Sequence, residues 1–286
     1  HAGAVTDLRQ PRIAGRVADQ DQVGAVDLYS APADASAPAV RLSEAVGDAY
    51  SSVWNFQLTA DRAVFQGPSA RLSSAPLDGG APALILSQEC FLFRVHPDGA
   101  RVLWTEELEL PPSTRVWIAP LDGSAPPTLL PSPGLGFVEY LALSPDGAWA
   151  VLASGSELYA LDLAGGLGLI PLASGGTLVL DPAIAADSSR VVFSERSGFY
   201  PDIHITLRSV PIDGSAVAVS LSSTLPFGLL HFAVSPNSDR VVFGLDASVD
   251  GTGEIYSVPL DGSAAPVRLN GTLVAGGGAG FGCMPA

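Results

Sequence analysis

Acidic side chains dominate the polar chemistry of this chain: 29 Asp and Glu stand against 14 basic residues, all arginine, in 286 residues, for a formal charge of −15. Many of the aspartates precede glycine, as in Asp78-Gly79, Asp122-Gly123, Asp213-Gly214 and Asp261-Gly262. Calcium is the cation that such carboxylates would hold. A calcium loop, however, gathers several oxygen ligands from about a dozen residues, and each pair supplies one carboxylate. The pairs read as structural turns, in which Asp accepts from nearby amides and Gly reaches positive φ without a Cβ clash. Asp19-Gln-Asp21 and the stretch from Asp246 to Glu254 are richer in oxygen and still miss the calcium-loop spacing. No cofactor or metal is therefore expected, calcium being the one option left open without support from spacing.

Catalytic patterns are equally sparse. A serine hydrolase of the nucleophile-elbow type needs Gly-x-Ser-x-Gly, which does not occur. The histidines, His1, His96, His204 and His231, show no zinc-type spacing, and His96 and His231 read as hydrogen-bonded structural residues. Cys90 and Cys283 are too few for a disulfide framework. Their offsets from the following Pro97 and Pro285 differ in parity, which predicts opposite orientations and no bridge between them.

The elements that must position any site are repeated. Copies of a strand-turn-strand unit align on Asp34, Asp78, Asp122, Asp162, Asp213 and Asp261, with separations of 44, 44, 40, 51 and 48. A period in the forties built from short strands is the signature of propeller blades, one four-stranded sheet per repeat. A second anchor lies between successive copies, as in His96-Pro-Asp-Gly99, Ser144-Pro-Asp-Gly147 and Ser235-Pro-Asn-Ser238, each followed by a β-branched or aromatic strand. The blade is thus strand A, a tight turn, strand B, a variable loop, strand C, the Asp-Gly turn and strand D. Arg12 to Val17 aligns with the strand B that starts at Arg240, so the chain enters its first blade at strand B. The missing strand A is expected from Gly277 to Pro285, which closes a ring of six four-stranded antiparallel blades and removes exposed sheet edges. Residues 1–11 form an N-terminal arm, and residues 12–286 one propeller domain.

Ser235-Pro-Asn-Ser-Asp-Arg-Val-Val-Phe243, with Glu254-Ile-Tyr-Ser-Val-Pro-Leu-Asp-Gly262 and Arg268-Leu269, resembles the TolB-like family of WD-type propeller repeats, also found in the propellers of prolyl-oligopeptidase-type peptidases. The resemblance covers roughly Arg12 to Pro285, and no hydrolase domain accompanies it. It implies an interaction role in the periplasm, at the cell surface or outside a bacterium.

Composition narrows the partners. At 47% hydrophobic the chain folds, and no run reaches the ~18 apolar residues of a membrane span. The negative charge argues against nucleic acid and anionic lipid, because phosphate binding needs positive charge. In a propeller the short, uniform A–B and C–D turns share one face, and the variable loops occupy the other. Function tends to sit on variable loops held by a rigid frame. An acidic, partly aromatic rim of Glu106, Glu107, Glu109, Tyr200, Asp202 and Asp246 is therefore the expected binding face. The leading expectation is a non-catalytic scaffold that binds a protein partner or ligand. Two alternatives stay open: a structural subunit that self-associates through its arm or by strand swapping, and a hydrolase or lyase with a site in the central channel. Whether the chain is an enzyme is undecided, with the balance against.

Overall fold

The computed structural model describes residues 12–18, 26–43, 52–109, 112–174, 178–198, 204–223, 225–226, 229–246 and 253–271. The N-terminal arm, the expected closing strand at 277–285 and Cys283 lie outside the described residues. The described residues fold into six antiparallel sheets. The first holds β1 (Arg12–Ala18), β2 (Val26–Pro32) and β3 (Val40–Arg41). The second holds β4 (Asn55–Leu58), β5 (Arg62–Gln66), β6 (Leu72–Pro76) and β7 (Leu84–Ser87). The third holds β8 (Phe93–Val95), β9 (Arg101–Glu109), β10 (Pro112–Pro120) and β11 (Thr128–Leu130). The fourth holds β12 (Tyr140–Leu143), β13 (Trp149–Ser154), β14 (Glu157–Asp162) and β15 (Leu169–Ala173). The fifth holds β16 (Leu178–Ile184), β17 (Arg190–Ser197), β18 (His204–Pro211) and β19 (Val219–Ser220), with β20 (Leu225–Pro226) also paired to β18. The sixth holds β21 (Leu229–Val234), β22 (Arg240–Asp246), β23 (Gly253–Pro259) and β24 (Val267–Arg268).

Register confirms that the first sheet starts at strand B. Arg12 pairs with Pro32 as Arg62 pairs with Pro76, Arg190 with Pro211 and Arg240 with Pro259. The shared register supports a shared contact. In these four sheets the arginine Nε donates to a serine hydroxyl on the next strand, at 3.0 Å for Arg12 to Ser30 and 2.7 Å for Arg240 to Ser257. In the third sheet Ile118 stands in the serine position, and Arg101 turns back to Asp98 at 2.7 Å.

The Asp-Gly turns behave as their residues dictate. Gly123 N donates to Pro120 O at 3.3 Å, and the Asp122 carboxylate accepts from Ser124 N at 2.9 Å. The residue before each Asp is buried: Leu77, Leu121, Ile212 and Leu260. Its amide donates to the A–B turn of the same sheet, as Leu121 N does to Ala100 O at 2.8 Å. This ties the two short turns of a sheet together at one end.

Glycine is required at these turns for a second reason. A Cβ on Gly123, where φ is 70°, would lie 2.6 Å from Leu84 Cδ2 on the outer strand of the preceding sheet. The same clash awaits Gly79 at Val40 and Gly214 at Ile170, and Gly262 has 3.2 Å to Val219. The glycine is thus where one sheet rests on the edge strand of the one before it.

The described residues separate into two units, residues 1–108 with 115–129 and residues 109–114 with 130–286. Within the first, Leu28, Leu42, Phe65 and Leu77 form the core between sheets one and two. Val64, Leu72, Phe93, Val102 and Trp104 form the core between sheets two and three. Gln57 of β4 stitches the same seam, its amide oxygen accepting Val95 N at 2.8 Å. In the second unit, Val151, Leu158, Phe193 and Val210 pack sheets four and five, and Val192, Leu207, Phe243 and Val258 pack sheets five and six. Consecutive A–B turns are also bonded there. Ser188 and Ser238 take positive φ, 61° and 59°, where other copies have glycine. Their hydroxyls accept Asp146 N at 3.1 Å and Asp187 N at 2.9 Å from the preceding sheet.

Candidate functional site

Alternation along a strand puts residues i and i+2 on one face, so the faces of strands B and C can be traced outward from the turns. In the sixth sheet Phe243 pairs with Tyr256, their rings stacked at 5.7 Å. The Tyr256 hydroxyl donates to Glu254 at 2.5 Å, and Glu254 also accepts from Arg268. In the fifth sheet Phe193 pairs with Arg208, which donates to Glu195 at 2.7 Å. In the fourth, Leu152 pairs with Tyr159, whose hydroxyl donates to Glu157 at 2.8 Å. Each is the same clasp: an apolar residue on strand B, a donor opposite it on strand C, and a carboxylate one pleat further out that takes the donor. The hydrogen bond to Glu254, with some burial, raises the Tyr256 pKa. Burial and the bond to Glu157 do the same for Tyr159.

The third sheet repeats the clasp in different residues. Trp104 and Trp117 stack at 6.4 Å and 14°, and Trp117 Nε1 donates to Glu106 at 2.7 Å. Here the seam is open. A cleft of about 420 Å³ lies beside the pair, lined by Gln88, Glu89, Trp104, Glu106, Trp117 and Pro127 together with the end of β7. Trp104 is 2% exposed, and its indole N–H finds no hydrogen-bond acceptor among the described residues, as is also true of Arg208 Nε in the fifth sheet. Arg115 approaches Glu106 only to 4.0 Å, from an exposed position. The cleft thus brings together stacked indoles and two carboxylates.

The predicted rim is distributed differently from its sequence order. Glu106, Glu107 and Glu109 are not in a loop: β9 and β10 extend the ladder until only residues 110 and 111 separate them. Alternation then sends Glu106 to the cleft face and Glu107 and Glu109 to the other. Burial raises the Glu107 pKa. The backbone of Asp246 ends β22 opposite Gly253, while its side chain, Tyr200 and Asp202 lie outside the described residues. Counting did hold a signal for the missed tryptophans. Trp104 is three residues in from Arg101 and Trp117 three back from Pro120, which makes them partners across the hairpin by register.

The remaining candidates have structural work. His96 is buried, and its Nδ1 accepts Asp98 N at 3.2 Å within the turn. Cys90 is a buried free thiol whose pKa is pushed up to about 12 by burial. Among the described residues no three His, Cys, Asp or Glu side chains gather where a metal ion could sit. No described helix is long and apolar enough to cross a membrane.

No protein-family model matches the chain, and no curated protein does. Solved structures do. Sqt1 from Chaetomium thermophilum, bound to the N-terminus of the ribosomal protein L10, matches with a TM-score of 0.51 at 19% identity, covering 90% of this chain and 70% of its own. TolB from Acinetobacter baumannii matches at 0.46 and 16% identity, with coverage of 88% and 62%. The tricorn protease matches at 0.48 and 11%, with coverage of 87% and 30%. The chain thus spans under a third of the tricorn protease chain and under two thirds of the TolB chain. The likeness to Sqt1, with the six sheets and their register, establishes the fold class: an all-β propeller whose sheets are the blades.

Proposed function

We propose that the protein is a non-catalytic interaction scaffold, exported by a bacterium to the periplasm or cell surface, that holds a protein partner at the variable end of its blades. One observation carries this reading: the carboxylate clasp recurs in blades four to six, and in blade three it is built of two stacked tryptophans that border a cleft of about 420 Å³. The Sqt1 structure supports it, since a propeller of this fold there holds the terminal segment of another protein. Glu107, Glu109, Tyr200, Asp202 and Asp246 belong to the same proposal as an outer rim.

Affinity capture from envelope and cytosolic fractions of the native source tests it. Wild-type protein and a Tyr256→Phe control retain one protein from the envelope fraction, and Trp117→Ala loses at least nine tenths of it. Equal retention by Trp117→Ala overturns the site. A partner found only in the cytosol overturns export.

A further inference from the structure

We infer that the cleft beside Trp104 and Trp117 takes a lysine or arginine side chain from an extended peptide segment of the partner, an inference that rests on the scaffold reading above. Glu89 and Glu106 supply negative charge at the cleft, in a chain of charge −15 with no lysine of its own. The Trp117 indole offers the face on which a cation is held, and Leu86 and Pro127 offer apolar surface for the methylene stem.

The acceptor balance points to a peptide rather than a bare cation. Trp104 lines the cleft and is almost fully buried, with an N–H that finds no acceptor among the described residues. A buried donor without an acceptor is unfavourable, and the backbone carbonyl beside a bound basic residue supplies one. A metal ion or a polyamine brings charge without that acceptor. A neutral peptide brings the acceptor without the charge. The competing cation is Arg115, 4.0 Å from Glu106 and exposed, which an incoming guanidinium or ammonium displaces from the remaining carboxylate oxygen.

The protein's four tryptophans, Trp54, Trp104, Trp117 and Trp149, give four indole N–H signals in a ¹⁵N correlation spectrum, so occupancy can be read at the residues named. Titration with the methylamides of N-acetyl-arginine and N-acetyl-lysine is expected to shift the Trp104 and Trp117 signals saturably and leave Trp54 and Trp149 in place. The N-acetyl-norleucine probe, of similar shape without charge, should do neither. Glu106→Gln is expected to weaken the arginine probe roughly tenfold, and Arg115→Gln to strengthen it about threefold. Unshifted Trp54 and Trp149 signals in these variants show that the fold is intact. Equal shifts from norleucine, or no shift from either basic probe, overturn the inference. Partner capture that depends on Trp117 while the basic probes fail leaves the scaffold reading standing and removes only the cationic ligand.

Discussion

The seam beside blade three and the seam beside blade six are built alike and finish differently. Both stack two rings across strands B and C, and both give a carboxylate a donor from strand C. In blade six the carboxylate accepts from Tyr256 and Arg268, so both oxygens are engaged by the protein. In blade three Glu106 takes one firm hydrogen bond and a distant arginine, and the second tryptophan keeps a donor unused. The difference teaches where to look in a repeat protein. A feature that recurs from copy to copy serves the frame, and a copy whose residues depart from the others, as blade three does with two tryptophans beside a cleft, is where a ligand can bind.

The largest way to break this comparison is to disturb the wall of one seam. Gly123→Val meets both a left-handed backbone and Leu84 on β7, next to the cleft, and is expected to cost about 2–5 kcal/mol in thermal or denaturant unfolding. Gly262→Val, with more room at Val219, should cost about 1–2 kcal/mol. Similar losses at the two sites would show that the tighter approach at Gly123 carries no weight. Next in size is removal of the donors. Tyr256→Phe removes one of the two donors to Glu254, which keeps Arg268, and is expected to cost about 1 kcal/mol with partner capture intact. Trp117→Phe removes the hydrogen bond to Glu106, whose side chain is as exposed as that of Glu254, so its stability loss should also be about 1 kcal/mol while capture falls. Capture lost in Tyr256→Phe and kept in Trp117→Phe would sink the distinction between them.

The smallest effect is shared by blades three to six and serves as a baseline. Burial pushes the Asp98 carboxyl up, but the Ala100 amide, the Arg101 guanidinium and His96 outweigh it and hold the pKa at about 2 against an ordinary 3.8. Hydrogen bonds to Ser263 and Ser215 similarly lower Asp261 and Asp213. A depressed folded-state pKa gives stability that is full above the unfolded value and is lost as pH falls through the folded one. Denaturant midpoints should therefore hold steady down to about pH 4 and decline toward pH 2, with a shallower decline in Asp98→Asn. A midpoint that rises over that range would contradict the turn assignment.

Much of the frame was legible because it is written in short, local chemistry. Asp followed by Gly specifies a turn within four residues, and the pairs at Asp78, Asp122, Asp213 and Asp261, with Asp34 and Asp162 in step, announce the blades by their spacing. Entry at strand B was legible too, since Arg12 and Arg240 share both a residue and a register. The clasp was not legible for a physical reason: its role is shared across blades while its residues are not. Trp117, Tyr159, Arg208 and Tyr256 are all donors, and the acid sits on strand B in Glu106 and Glu195 but on strand C in Glu157 and Glu254. An alignment by residue type passes over that equivalence, which appears only when the hairpins are folded and faces compared. Length also misled. The acidic stretch after Thr105 looks like a variable loop, yet β9 and β10 keep pairing through it and divide its carboxylates between two faces.

Hydrogen–deuterium exchange of the protein with and without its captured partner tests most directly whether the open seam is the binding site. Protection is predicted in peptides covering residues 86–89 and 104–117, with the clasps at Glu157, Glu195 and Glu254 unchanged. Protection confined to those closed clasps or to the Asp-Gly turns, with residues 104–117 exchanging as in the free protein, would contradict it.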